Sequence, residues 1–467
     1  MTRLTSRTLR LAIMALLLAF ATVRPAAAQS ILRDSETEAM FKDISRPLAQ
    51  AAGLDPANVT LALVNDQNIN AFVSKGQVVY IHSGLLTAAD NVNQLQGVIA
   101  HELGHVNQGV QIRMGEGVGA ATKISILSLV LAAAAIAAGA PADAGMGIMM
   151  AGQRAAMGNF MAFTRAQESS ADLAGASYLS KAGISGKGSL QFFNKLRNQE
   201  YRLAIYAKDS YDRTHPLSQE RVQALREIYE KDAAWNRPPD PALEARFQRV
   251  KAKLLGYVEP QLATRKYPES DQSVPGHYAR AYAYHLGAYP EKALAEADAL
   301  LATDPNDPYF LELKGQILLE SGRPKEAVPI LRQSVAQAPD QPMISVMLGH
   351  ALMATEDSRN FAEAKQVLKT AVNRDNDNPF AWLQLGTIYD REGDVARAAL
   401  ATAERTNLQG NPKLPLVSAR TAMRGIPANT PDYLRAQDIA MVSEAELEKD
   451  KKGGVKVEPR SEPRATR

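Results

Sequence analysis

Four sets of small or helix-breaking residues in the C-terminal half recur at almost the same interval, and this recurrence restricts the fold more than any other feature. Pro305 and Pro339 are 34 residues apart, Pro308, Pro342 and Pro379 are separated by 34 and 37, Gly315, Gly349 and Gly386 by the same 34 and 37, and Ala293, Ala327, Ala364 and Ala398 step by 34, 37 and 34. The three extra residues fall in the polar turn Glu356-Asp357-Ser358-Arg359-Asn360. A repeat of this length holds one helix pair, and such a pair has a face it cannot bury alone. Gly and Ala let neighbouring helices approach, so stacked units complete one another's core. The pattern predicts an α-solenoid over 275–412.

Proline between units together with small residues at fixed offsets resembles the tetratricopeptide repeat, in about four units. Upstream, Asn236-Arg237-Pro238-Pro239-Asp240-Pro241 is the strongest internal break, because three prolines in a polar hexapeptide cannot continue a helix. A second domain is expected before it. At the N-terminus, Arg3, Arg7 and Arg10 precede the apolar run Leu11 to Val23, and Ala26-Ala27-Ala28 supplies small residues for cleavage. This predicts an export signal over 1–28. The expected order is then a catalytic domain over 29–236, lead-in helices over 237–274, repeats over 275–412, a helical segment over 413–443 and a disordered, charged tail over 444–467.

The chain has 53 Lys+Arg, 50 Asp+Glu and no cysteine. Its slight basic excess sits at the two termini, around a mildly acidic body. That distribution gives no footprint for nucleic acid, and a disulfide scaffold is excluded. An exported chain without cysteine fits a bacterial periplasm. It also leaves histidine and carboxylate as the residue types able to hold a metal tightly.

Those residues occur at informative spacing. His101-Glu102-Leu103-Gly104-His105 lies in a helical run from Leu95 to Gly109. Two histidines at i and i+4 share one helix face, so both imidazoles reach one metal while Glu102 flanks the position of an activated water. A catalytic zinc needs a third protein ligand. Glu168, expected near the start of a second helix, is the best candidate, with Asp172 on the same face to orient a histidine or handle a proton. His82 on an expected edge strand, and His277, His285 and His350 in the repeats, read as packing or surface residues.

His-Glu-x-x-His followed by Glu-x-x-Ala-Asp resembles the M48 family of zinc metallopeptidases. Asn70-Ala71-Phe72, the run Val78 to Leu86, and Thr214-His215-Pro216 with Arg221 match further segments of that family, over about 36–230. The resemblance implies a mainly α, zincin-like metalloprotease domain with a small β-sheet. It implies one Zn2+ on His101, His105 and Glu168, with Glu102 as general base and Asp172 as a further active-site residue. His215 would either support the transition state, a role open to Arg221 as well, or cap the metal and hold the enzyme latent.

An export signal, this protease domain and a repeat array together resemble the periplasmic members of the family that act as protease and chaperone for outer-membrane proteins. Misassembled outer-membrane proteins are then the expected substrates, and the β-barrel assembly machinery a partner for the repeats. A repeat-based assembly chaperone or adaptor with mostly latent proteolysis is the other reading.

Two further expectations concern surfaces. The strand Gln77 to Ile81, taken as an exposed edge, would bind extended substrate by strand addition. Ile124 to Ala140 is uncharged, and Gly145 to Phe163 adds Met146, Met149, Met150, Met157 and Met161. Its shortness, its alanine content and the interruption at Pro141 and Asp143 favour peripheral membrane contact or client binding over 124–163 rather than a true span.

Overall fold

The computed structural model describes residues 30–74, 76–138, 141–203, 215, 218–410 and 412–453. The expected export signal therefore lies outside the described residues.

The N-terminal domain starts with β1 (Ile31–Leu32) and α1 (Ser35–Ala51), whose first turn is capped by Asp34 accepting from the Thr37 amide. β2 (Thr60–Val64), β3 (Ala71–Ser74) and β4 (Val78–His82) complete a sheet of order β1-β2-β4-β3. β4 pairs in parallel with β2, from Thr60 opposite Val78 to Val64 opposite His82, and antiparallel with β3. The run 77–81 is therefore an inner strand and not the expected edge. Residues 65–70 carry the chain past it, and a turn through Gly76 at φ 79° brings it back. Among the described residues β3 is the outermost strand on that side of the sheet.

After α2 (Ser83–Ala88) comes α3 (Val92–Gln108), capped by Asn91 and stopped by Gly109 at φ 58°. Every residue of α3 from Val92 to His105 is buried, so it forms the axis of this domain. α4 (Val110–Ala137) and α5 (Ala142–Lys181) then make an antiparallel hairpin. Glu168 therefore lies deep within a 40-residue helix, not near the start of one. α6 (Lys187–Leu203) and α7 (Gln219–Tyr229) close the domain. Phe41, Ile44, Val79, Ile81, Leu95, Ile99, Leu179, Phe192 and Phe193 form its core.

The proline-rich break is present, but α8 (Pro241–Val258) folds back across it. Phe247, Val250 and Leu254 complete the first core, whereas Ala252 and Leu255 on the same helix pack with Ala263, Ala279 and Ala283. α8 is thus shared between the domains rather than a free lead-in. α9 (Pro260–Lys266) leads to four helix pairs: α10 (Val274–Leu286) with α11 (Pro290–Thr303), α12 (Pro308–Glu320) with α13 (Pro324–Gln337), α14 (Pro342–Ala354) with α15 (Phe361–Arg374), and α16 (Pro379–Arg391) with α17 (Val395–Asn407). Most begin with Pro in the first turn, where its missing amide costs no hydrogen bond.

α18 (Lys413–Gly425) and α19 (Pro431–Gly453) end the described chain. The expected disordered tail is helical as far as Gly453. Ala-Glu-Leu-Glu-Lys-Asp-Lys-Lys is strongly helix-forming, and that propensity extends the helix beyond its packed part.

A buried polar joint also ties the domains together. Glu36 accepts from the Tyr278 hydroxyl at 2.8 Å and pairs with Lys253 at 3.1 Å and with Arg249. Ser35 donates to Glu312 at 2.8 Å, and Arg33 pairs with Asp375 at 2.8 Å.

Candidate metal centre

Two helices bring the chemistry together because glycines let them touch. A side chain on Gly104, inside the histidine motif, would meet the Ala171 carbonyl oxygen at 2.7 Å. One on Gly175 would meet the His101 amide nitrogen at 3.0 Å. α3 and α5 therefore interlock backbone to backbone, which sets Glu168 and Asp172 against His101 and His105.

Four donor groups converge from three chain segments: His101 and His105 on α3, Glu168 on α5, and His215 from the segment before α7. His101 Nε2 is 3.1 Å from His105 Nε2, and His215 Nδ1 is 3.3 Å from each of them. Glu168 lies 3.4 Å from His101, 3.3 Å from His105 and 3.2 Å from His215. A tetrahedral site with bonds of about 2.0 Å has edges of roughly 3.3 Å, so this donor set fits a metal ion with little rearrangement. Of the matched segment Thr214-His215-Pro216, His215 alone lies within the described residues.

The surroundings fix the donors. His101 Nδ1 faces Asp172 Oδ1 at 2.9 Å, which leaves Nε2 to turn its lone pair toward the cluster. Arg221 holds Asp172 with two hydrogen bonds, of 2.6 and 2.9 Å, and reaches Glu168 at 3.1 Å. Arg221 is thereby committed to carboxylates, not presented as a free oxyanion donor. Burial alone would raise both acids, but hydrogen bonds from His101 and Arg221 pull Asp172 down, and those from the three histidines hold Glu168 well below the usual range. Burial opposes a charge on His101, yet Asp172 and Glu168 hold its pKa up to about 10 without a metal, so a bound metal would take the place of the Nε2 proton. Burial keeps the His105 pKa low.

Glu102 is fully buried, and among the described residues neither of its carboxylate oxygens has a hydrogen-bond partner. His215 Nε2 lies 3.5 Å from Glu102 Oε1. That same nitrogen lies 3.3 Å from the carbonyl of Ala71, on the outer side of β3. His215 thus touches the donor cluster, the free carboxylate and the sheet edge together. His82 is buried on β4. His277, His285 and His350 lie in α10 and α14, outside this cluster.

Residues 35–229 match the sequence profile of peptidase family M48, and 277–342 and 347–412 match the tetratricopeptide repeat. The first domain is an M48 peptidase domain. Its chain is a metalloendopeptidase, built as that domain followed by tetratricopeptide repeats. The chain is 27% identical over 362 residues to the Beta-barrel assembly-enhancing protease of Yersinia pestis, covering 74% of this chain and 71% of that one. It is 28% identical over 333 residues to the protein of the same name from Escherichia coli K12, covering 68% and 65%. To the Metalloprotease LoiP of Escherichia coli K12 it is 28% identical over 224 residues, 45% of this chain and 75% of that one.

Proposed function

We propose that the M48 domain is a zinc endopeptidase of the bacterial periplasm that acts on misassembled outer-membrane proteins, with assembly assistance through the repeats. The observation that carries the chemistry is the convergence of His101, His105, Glu168 and His215 beside the unpartnered carboxylate of Glu102. The client class comes from the names of the relatives and from the export signal read at 1–28.

His101, His105 and Glu168 hold the metal. When bound, zinc supplies a Lewis acid for the scissile carbonyl and lowers the pKa of a water toward about 7. Glu102 takes the proton from the attacking water and delivers it to the leaving amine. Its lack of other hydrogen-bond partners keeps it available for both transfers. Asp172 fixes the His101 tautomer, and Arg221 keeps Asp172 ionised and in place.

In the present arrangement His215 stands where substrate must come. It fills the fourth donor position and occupies the Ala71 carbonyl. We assign it the role of a latch that is displaced on substrate engagement. This favours the second reading in part: proteolysis is latent by default, while the repeats provide assembly contacts. A cavity of about 500 Å³ between β1 and the inner repeat helices, lined by Leu32, Tyr282, Met343 and Phe380, suits such contacts.

The expected result with an unfolded outer-membrane protein is that Glu102→Gln abolishes cleavage with zinc retained, and that His215→Ala cleaves faster than wild type. Cleavage by Glu102→Gln at the wild-type rate would remove Glu102 from the mechanism. Full assembly function of Glu102→Gln in cells would leave the chaperone reading alone standing. A slower His215→Ala would assign His215 to the transition state.

A further inference from the structure

The hairpin of α4 and α5 is built inside out. Its two helices meet through small residues: a side chain on Gly152 would collide with Ser128 Cβ at 2.0 Å, one on Gly145 with Ile136 at 2.6 Å, and Ala132 and Ala156 are buried beside them. The large side chains point away. Ile126, Leu127, Leu129 and Val130 are each 57–58% exposed on α4, and Met146 and Met157 are 57% and 58% exposed on α5. Small residues between helices and large apolar residues around them is how helices pack in lipid, where exposing Leu and Ile has no cost. In water a helix that is apolar all round is normally buried. Here Arg113–Ala137 is a 25-residue span, and its apolar 18-residue window is only 11% buried.

Two independent features point to the same environment. Thr122, Ser125 and Ser128 each donate to a backbone carbonyl of their own helix, at 2.8, 3.1 and 2.8 Å, so their hydroxyls need no water. Lys123 and Arg154, both exposed, lie at similar levels on the two helices, 14 residues before Ala137 and 12 after Ala142. Each is thus about 20 Å from the turn. Between them and the turn Asp143 is the one charge, placed where an inserted tip nears the far side of a hydrocarbon layer about 30 Å thick, within reach of water by local thinning.

We propose that this hairpin inserts tip-first into a lipid bilayer, with Lys123 and Arg154 at the headgroups. α5 continues without a break from the hairpin to Glu168 and Asp172, so insertion holds the metal centre about 20 Å above the lipid surface. The inference does not depend on the site being catalytic.

The test is flotation of the full-length chain with vesicles of phosphatidylethanolamine and a minor fraction of phosphatidylglycerol. Wild type floats and resists high salt. The Leu127→Glu/Leu131→Glu variant, altered at two exposed positions, floats at least about tenfold less while keeping its circular dichroism and metal content. A Leu131→Trp variant reports depth, its fluorescence being quenched by lipids brominated deep in the acyl chains. Absence of flotation, equal flotation of wild type and variant, or no quenching would overturn the proposal. So would a dimer or a complex with unfolded protein that is broken by the same two substitutions and undisturbed by vesicles.

Discussion

Gly104 shows how much of this site is set by residues without functional groups. It occupies one of the two unspecified places in His-Glu-x-x-His, yet its missing side chain is what allows the backbone of α5 to pass 2.7 Å from where a Cβ would stand. Both obstructing atoms nearest that position are backbone, so nothing can rotate aside. Gly104→Ala is expected to cost roughly 1–3 kcal/mol of stability. It should also weaken metal binding more than an alanine elsewhere on α3, by moving Glu168 and Asp172 off the histidines. Thermal melts and metal titration would check this, and wild-type values in both would contradict the interlock. The histidine spacing was legible in the sequence because it is a local property of one helix. The partnership of Gly104 with Ala171 was not, since it links positions 67 residues apart that share no pattern.

At the level of elements, periodic segments were the easiest to read. The repeat helices follow from proline, glycine and alanine recurring in step, and α3 from its apolar spacing. The sheet was less legible: 60–64 and 77–81 do pair, but which strand is outermost depends on the path of residues 65–70, which no alternation encodes. α5 runs unbroken through Gly145, Gly147, Gly152 and Gly158, each a poor helix former. Packing against α4 overrides that weak propensity.

The junction of α1 with α12 makes a pH prediction. Burial, reinforced by Asp34, pushes the Glu312 carboxyl up to about 8, with Lys253 and the Ser35 hydrogen bond pulling against it. A raised acid holds its proton in the folded chain where the unfolded chain has lost it. Stability from this group is therefore present at low pH and is lost as pH rises from 4.5 to about 8. Wild type should lose on the order of 5 kcal/mol relative to Glu312→Gln across that window. Parallel stability curves for the two proteins would place no raised carboxyl at the joint.

Across the whole molecule, catalytic domain and repeats form one structure joined by α8 and by the polar contacts of Arg33, Ser35 and Glu36. The proline-rich break marked a change of direction but not a change of core, because a helix can bury one face in each of two domains. The proposed contacts of the repeats and of the apolar hairpin stand apart from the chemistry, and the proposed activity depends on the donor cluster being a metal centre. Zinc content of the purified full-length chain, measured beside His101→Ala, tests this most directly. One zinc per wild-type chain and less than about one tenth in the variant is the predicted result; equal zinc in both would contradict the assignment.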